Sequence, residues 1–386
     1  MKQVWIALLC CVWLVAGQHA PLAARASETA QTGGVAVETV ASMGGLVRTA
    51  AVDGQRAYVA EGADLVVLDV GDPSAPQRLG RLPLDRRARS IGAAGGYAYL
   101  LLDYALWTVD ARDPARPQRA HVFALPFGLA DRLRVSDGLL VARSSGTLYI
   151  FDLSDPAHPA LQSTRTTFPT FFELSGRTLY LLEHAKGLTL LDLSDPRAPR
   201  ERSHFVLPPS RSPNLGLALS GGRAVISTGE DRSDAKHVLT VSVANPDAPA
   251  LLGDVVLDAP VVALTGPLLA VSTYEGPLRL LDTTDPVSPT VLATYPFQAK
   301  ELLFRAGRLY AQGEDRLLIL DVGNPSAPVL LGSYDSSRSL GLVAAVRREG
   351  QRLYASSERG VQILDVSQPL TPTLQGFVPF TNASKL

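Results

Sequence analysis

The stretch "DRRARS" at 85–90 sets three guanidinium groups, Arg86, Arg87 and Arg89, almost side by side. "DRLR" at 131–134 adds Arg132 and Arg134, and Arg211, Lys300 and Arg338 follow at wider intervals. A guanidinium presents a planar fork of N–H donors that matches a carboxylate or phosphate two oxygens at a time. Aromatic rings accompany these cations: Phe168, Phe171 and Phe172 in "FPTFF", then Tyr295 and Phe297. Cations beside flat apolar faces can hold an anionic or glycan-like ligand. Acids are interleaved with them at Glu61, Asp64, Glu183, Glu230, Asp231, Asp234, Glu275, Asp315 and Glu358. Where no ligand claims the arginines, these acids would pair with them.

Other chemistries find little support. The chain has no HExxH, no GxSxG and no phosphate-binding loop. His121, His158, His184, His204 and His237 are scattered along it. Asp231, Asp234 and His237 could touch a cation in "TGEDRSDAKH" (228–237), but the spacing lacks the alternating acids of a calcium loop. No metal or cofactor is expected. Catalytic groups converging from distant segments would leave no linear motif, so a hydrolase or lyase stays open beside a binding role.

The bounds are those of a globular chain. It has 386 residues, 46% of them hydrophobic, and a net charge of −1, which gives no reason to expect a nucleic-acid partner. The start reads as a secretory leader: Lys2, an apolar run over Val4–Gly17, and the small-x-small triplet Ala24-Arg25-Ala26. An uncleaved anchor is the alternative, though the run is short for a membrane span. Cleavage would give a signal peptide at 1–26, a linker at 27–34, a main domain at 35–380 and a tail at 381–386. The product is expected outside the cytoplasm, secreted, periplasmic or at the cell surface, with no membrane span. It would also lack cysteine, because Cys10 and Cys11 are the chain's two. The terminal "SKL" and the sequon at Asn382 are short enough to arise by chance.

What must position these side chains is a repeat. "LDLSDPRAP" at 191–199 recurs as "LDVGDPSAP" (68–76), "VDARDPARP" (109–117), "FDLSDPAHP" (151–159), "VSVANPDAP" (241–249), "LDTTDPVSP" (281–289), "LDVGNPSAP" (320–328) and "LDVSQPLTP" (364–372). The anchors Asp69, Asp110, Asp152, Asp192, Ser242, Asp282, Asp321 and Asp365 are spaced like propeller blades. A glycine precedes each: Gly54, Gly96, Gly138, Gly176, Gly222, Gly266, Gly307 and Gly350. Gly between two short apolar runs is a hairpin signal.

Each repeat therefore reads as four strands, A to D. The glycine turn joins A to B, strand C ends at the anchor, and D follows the second proline. In the phrase itself, Asp195 can accept turn amides and Pro196 pre-sets φ for the turn. Pro199, with no N–H to donate, suits the start of an outer edge strand. Leu188, Leu190, Leu191 and Leu193 make strand C apolar on both faces, so every sheet needs neighbours on two sides.

The third strands, "LVVLDV" (65–70), "LYIFDL" (148–153), "LTLLDL" (188–193), "LRLLDT" (278–283), "LLILDV" (317–322) and "VQILDV" (361–366), resemble the LVIVD-repeat family of secreted, largely bacterial β-propellers. The resemblance implies an all-β fold and carries no catalytic motif. Eight glycines and eight phrases predict a single eight-bladed propeller of four-stranded blades; seven blades with one repeat outside the ring is the alternative. "VAVETVASM" (35–43) and "TLQGFVPF" (373–380) both read as D strands that would compete for the last blade's outer edge and close the ring. D–A connections and B–C turns share one rim of a propeller, and the turn phrases share the other. The leading expectation is a non-catalytic binding or scaffold module that meets a protein or an anionic, glycan-like ligand on the D–A face. A propeller hydrolase or lyase with its site in the central funnel is the alternative.

Overall fold

The computed structural model describes residues 47–379 except 126–129, 184–185, 209–210, 231–232, 274–275, 314–315, 336–342, 350, 358–359, 366 and 368–372. The leader, the linker and the 35–43 strand therefore lie outside the described residues, as do Arg338, Gly350 and the tail. Among the described residues, thirty-two strands, β1 to β32 in chain order, form eight antiparallel sheets of four. The first sheet sets the pattern: β1 (Val47–Asp53), β2 (Arg56–Glu61), β3 (Asp64–Asp69) and β4 (Gln77–Pro83), each paired to the next. Among the described residues there is no helix, hence none long and apolar enough to cross a membrane.

The ring closes with seven blades, not eight. Seven apolar clusters form among the described residues, one between each pair of neighbouring blades. The seventh joins Val59, Val66 and Leu68 of the first blade to Tyr310, Leu317 and Ile319 of the seventh. The sheet of β29 (Val343–Glu349), β30 (Arg352–Ser357), β31 (Gly360–Asp365) and β32 (Thr373–Pro379) has its expected four strands, but its place in the ring is already filled. Among the described residues each ring blade is a complete four-stranded sheet, and the first and seventh blades meet through side-chain packing and polar latches. A repeat count gives the number of four-strand units the chain can make. The angle and fit between blades decide how many of them complete a circle.

Strand C behaves as its apolar faces require. Leu188 and Leu190 enter the cluster between the fourth and fifth blades, and Leu191 and Leu193 the one between the third and fourth. In the turn phrase, Asp192 Oδ1 accepts from Ser194 N at 2.7 Å and Asp195 Oδ1 from Arg197 N at 3.1 Å. The phrase also docks the preceding blade, a role sequence reasoning missed. Ser163 Oγ donates to the Pro196 carbonyl at 2.5 Å, and Ser203 Oγ to that of Pro246 at 2.6 Å. At the matching positions Gly80, Gly253 and Gly332, a Cβ would overlap the carbonyl oxygens of Pro114, Pro286 and Pro73. The signal was in the sequence: four residues after the second proline, six of the first seven repeats carry Gly, Ser or Ala, the second repeat having His121 instead.

Candidate functional site: the central channel and its D–A mouth

The innermost strand of each ring blade pairs on one side only. These seven strands are β1, β5 (Ser90–Ala94), β9 (Ala130–Ser136), β13 (Pro169–Ser175), β17 (Arg211–Ser220), β21 (Val261–Thr265) and β25 (Glu301–Arg305). Together they wall a central channel of about 620 Å³.

The two rims divide as the sequence suggested. Amides of the D–A connections bond to B–C turns, Leu84 N to Ala63 O at 2.8 Å and Leu125 N to Tyr104 O at 2.9 Å. Glycine turns bond to the turn phrases at the other end, as in Val70 N to Gln55 O at 2.8 Å.

On the D–A rim, Arg86 and Arg87 are exposed, and Arg86 lies over the Tyr104 ring at 5.6 Å. Arg89 reaches the channel mouth but is paired with Asp103 at 2.8 Å. Lys300 is exposed at the opposite lip. Phe168 is 75% exposed and covers Gly146. Arg211 opens β17 opposite Glu230 in the ladder.

Besides Arg211, four candidates sit in the inner strands and not in the D–A connections. Arg132 and Arg134 belong to β9, and Phe171 and Phe172 to β13. In β13, alternation sends the neighbouring phenylalanines to opposite faces. Phe172 is fully buried between the third and fourth blades, whereas Phe171 borders the channel.

At that wall Arg134 grips Glu173 with both ends of its fork, Nε to Oε2 at 2.6 Å and Nη2 to Oε1 at 2.7 Å. Burial by itself would lower the pKa of Arg134, but the carboxylate outweighs it and the net shift is upward. Arg132 lies over the Phe171 ring at 4.5 Å and touches Glu173 only at 3.5 Å. Burial, and then the charge of Arg134, pull its pKa down to about 10. One carboxylate thus serves two guanidiniums.

Three acids of the B–C turns, Glu61, Asp64 and Glu183, have partners other than the candidate arginines. Glu61 is buried and accepts from Arg78 at 2.8 Å and Tyr334 at 2.5 Å, and Asp64 lies 4.0 Å from Arg81. Glu183 accepts from Thr167 and Thr189. The fifth repeat runs 20 residues from Gly222 to Ser242, against 14 to 16 between the matching positions of the others, and the extra residues lengthen a hairpin, β18 (Arg223–Glu230) with β19 (Ser233–Ser242). His237 is buried there with Nδ1 2.8 Å from Asp254 Oδ1. Among the described residues, no three His, Cys, Asp or Glu side chains converge as a metal site.

A family profile described as LVIVD repeat matches residues 44–82, 128–167 and 310–336, that is, the first and third blades and most of the seventh. No curated protein sequence matches the chain significantly. Among solved structures, Hsv2 of Kluyveromyces lactis superposes with a TM-score of 0.54 at 10% identity, covering 76% of this chain and 99% of its own. Sqt1 of Saccharomyces cerevisiae gives 0.55 at 10%, covering 88% and 97%. The computationally designed Ika8 protein gives 0.54 at 11%, covering 81% and 93%. At such identities the likeness extends to the fold alone.

Proposed function

We propose that this LVIVD-repeat β-propeller is a non-catalytic binding module, secreted or held at a cell surface, that takes an acidic partner on its D–A face. The observation that carries this reading is the asymmetry of the channel mouth. Arg86, Arg87 and Lys300 project at the rim, and Arg132 and Arg134 lie on the wall below with a single carboxylate between them. Such a field draws anions and orients them before contact. Binding is favoured over catalysis because no histidine lines the channel among the described residues and Glu173 is held in a two-pronged ion pair, a poor state for a proton carrier.

The test is retention on an immobilised acidic polysaccharide such as polygalacturonate. The Arg86→Ser, Arg87→Ser, Arg89→Ser triple variant should elute at lower salt with its melting temperature nearly unchanged, because exposed loop charges contribute little to stability. Wild-type retention should weaken as ionic strength rises and the screening length falls below about 10 Å. Retention that neither salt nor the triple substitution changes would remove the charged rim from consideration.

A further inference from the structure

Resting on the reading of the D–A face as an acid-binding surface, we propose that the channel beneath it is a subsite for one sugar-acid unit, its carboxylate held by Arg132. Three observations on the channel wall support this.

The first is a charge left over. Of the arginines on the upper wall, Arg89 is paired with Asp103 and Arg134 has both oxygens of Glu173. Arg143, just behind, is paired with Asp131. Among the described residues, Arg132 has as an ion pair only the 3.5 Å edge contact that Glu173 can still offer. It lies over Phe171 and is only about a quarter exposed, facing a cavity. A carboxylate brought there would complete a fork that the protein leaves half made.

The second is the wall itself. The inner strands are hydrogen-bonded only on their B-strand side, so their other edges turn backbone N–H and C=O groups toward the channel. At Leu133 the N–H donates to Ser90 Oγ and the carbonyl accepts from Arg134 Nη1 at 2.9 Å; other groups along these edges are donors and acceptors of the kind hydroxyl groups match. Glu301, on the far wall in the seventh blade, adds an acceptor whose charge is felt at both Arg132 and Arg134. A ligand with an acid at one end and hydroxyls elsewhere satisfies all of these groups; a simple fatty or aromatic acid does not.

The third is size. About 620 Å³ lies within the range of small-ligand sites and suits one or two sugar rings.

Calorimetric titration of the full chain with galacturonate and glucuronate tests the proposal, with glucose, acetate and N-acetylglutamate as comparison ligands. Uronate should bind at about 1 mM or tighter, and glucose and acetate at least tenfold more weakly. Arg132→Gln should weaken uronate at least tenfold. Glu173→Gln should tighten it several-fold, because it removes the competing carboxylate; a variant that had merely lost its fold would not do that. N-acetylglutamate binding as well as uronate would reassign the subsite to an amino-acid ligand and overturn the sugar-acid proposal. So would equal binding of glucose, or wild-type affinity in Arg132→Gln. Polygalacturonate retained on the rim with no binding of the monomer up to about 10 mM would end the channel proposal and leave the rim reading standing. Monomer binding without polymer retention would do the reverse.

Discussion

Arg308 Nη1 in the seventh blade donates to the Val70 carbonyl in the first at 3.0 Å. The same latch joins Arg56 to Ala111 at 2.8 Å and Arg223 to Thr283 at 2.9 Å. In each case the arginine begins strand B of one blade, and the carbonyl follows the last residue of strand C in the next. The seam between the chain's first and seventh blades is therefore built like an internal one. We predict that a chain ending at Asp335 still folds, with a cooperative melt and a midpoint within a few degrees of the full protein. Loss of cooperative melting would show that the eighth sheet supports the ring.

Gly332 tests the same seam from its outer side. A side chain there meets the Pro73 carbonyl, a backbone atom that cannot rotate away. Gly332→Ala should cost about 1–3 kcal/mol, the usual range for forcing extra atoms into a packed site. Gly80→Ala and Gly253→Ala should cost about as much, because they face Pro114 and Pro286 in the same way. Denaturant melts of the three variants decide it. A harmless Gly332→Ala beside two costly partners would mean that the first and seventh blades do not meet as described.

Much of this fold was legible because its signals are local. Asp192 and Pro196 mark a turn, Gly138 takes positive φ between two strands, and the leucines of 188–193 demand cover on both faces. The blade count was not legible, because Arg308 and Arg352 open their second strands alike, and only the fit against Val70 chooses between them. The site was legible by residue type and less so by position. The segment "DRLR" reads as a loop because it is charged, yet Arg132 and Arg134 lie in an inner strand, where a channel replaces the packed neighbour that would have excluded charge.

Acid should weaken the turns before it weakens anything else. Asp192 is held below the ordinary carboxylate range by the Ser194 hydroxyl and then its amide, Asp152 likewise by Ser154, and Asp282 by Thr284. A carboxyl whose pKa is lower in the folded state contributes stability that is present above its unfolded pKa of about 3.9. That contribution fades as pH falls through the folded value. We predict a melting temperature nearly level from about pH 7 to 5 that declines below about pH 4. Asp192→Asn should flatten the decline slightly, since its amide oxygen can still accept from Ser194 without titrating. Thermal melts across this range would refute the idea if the fall began near pH 6, where histidine titrates.

The three phenylalanines of "FPTFF" separate packing from binding. Phe172 is fully enclosed with Leu139, Val141 and Leu181 between two blades. Phe172→Ala should cost about 3–5 kcal/mol, since the cavity cannot collapse between two rigid sheets. Phe168 is largely exposed, so Phe168→Ala should move stability by less than about 1 kcal/mol. Phe171 stands between these cases. It is half-buried beside the fourth and fifth blades and carries the Arg132 guanidinium on its face. Phe171→Leu keeps most of the packing and removes the ring, so it should spare stability while loosening Arg132. Its signature would be uronate affinity reduced several-fold at a melting temperature close to wild type. If Phe171→Leu instead lost stability and kept its affinity, the ring would be a core residue like Phe172, and Arg132 would need no platform to hold its ligand.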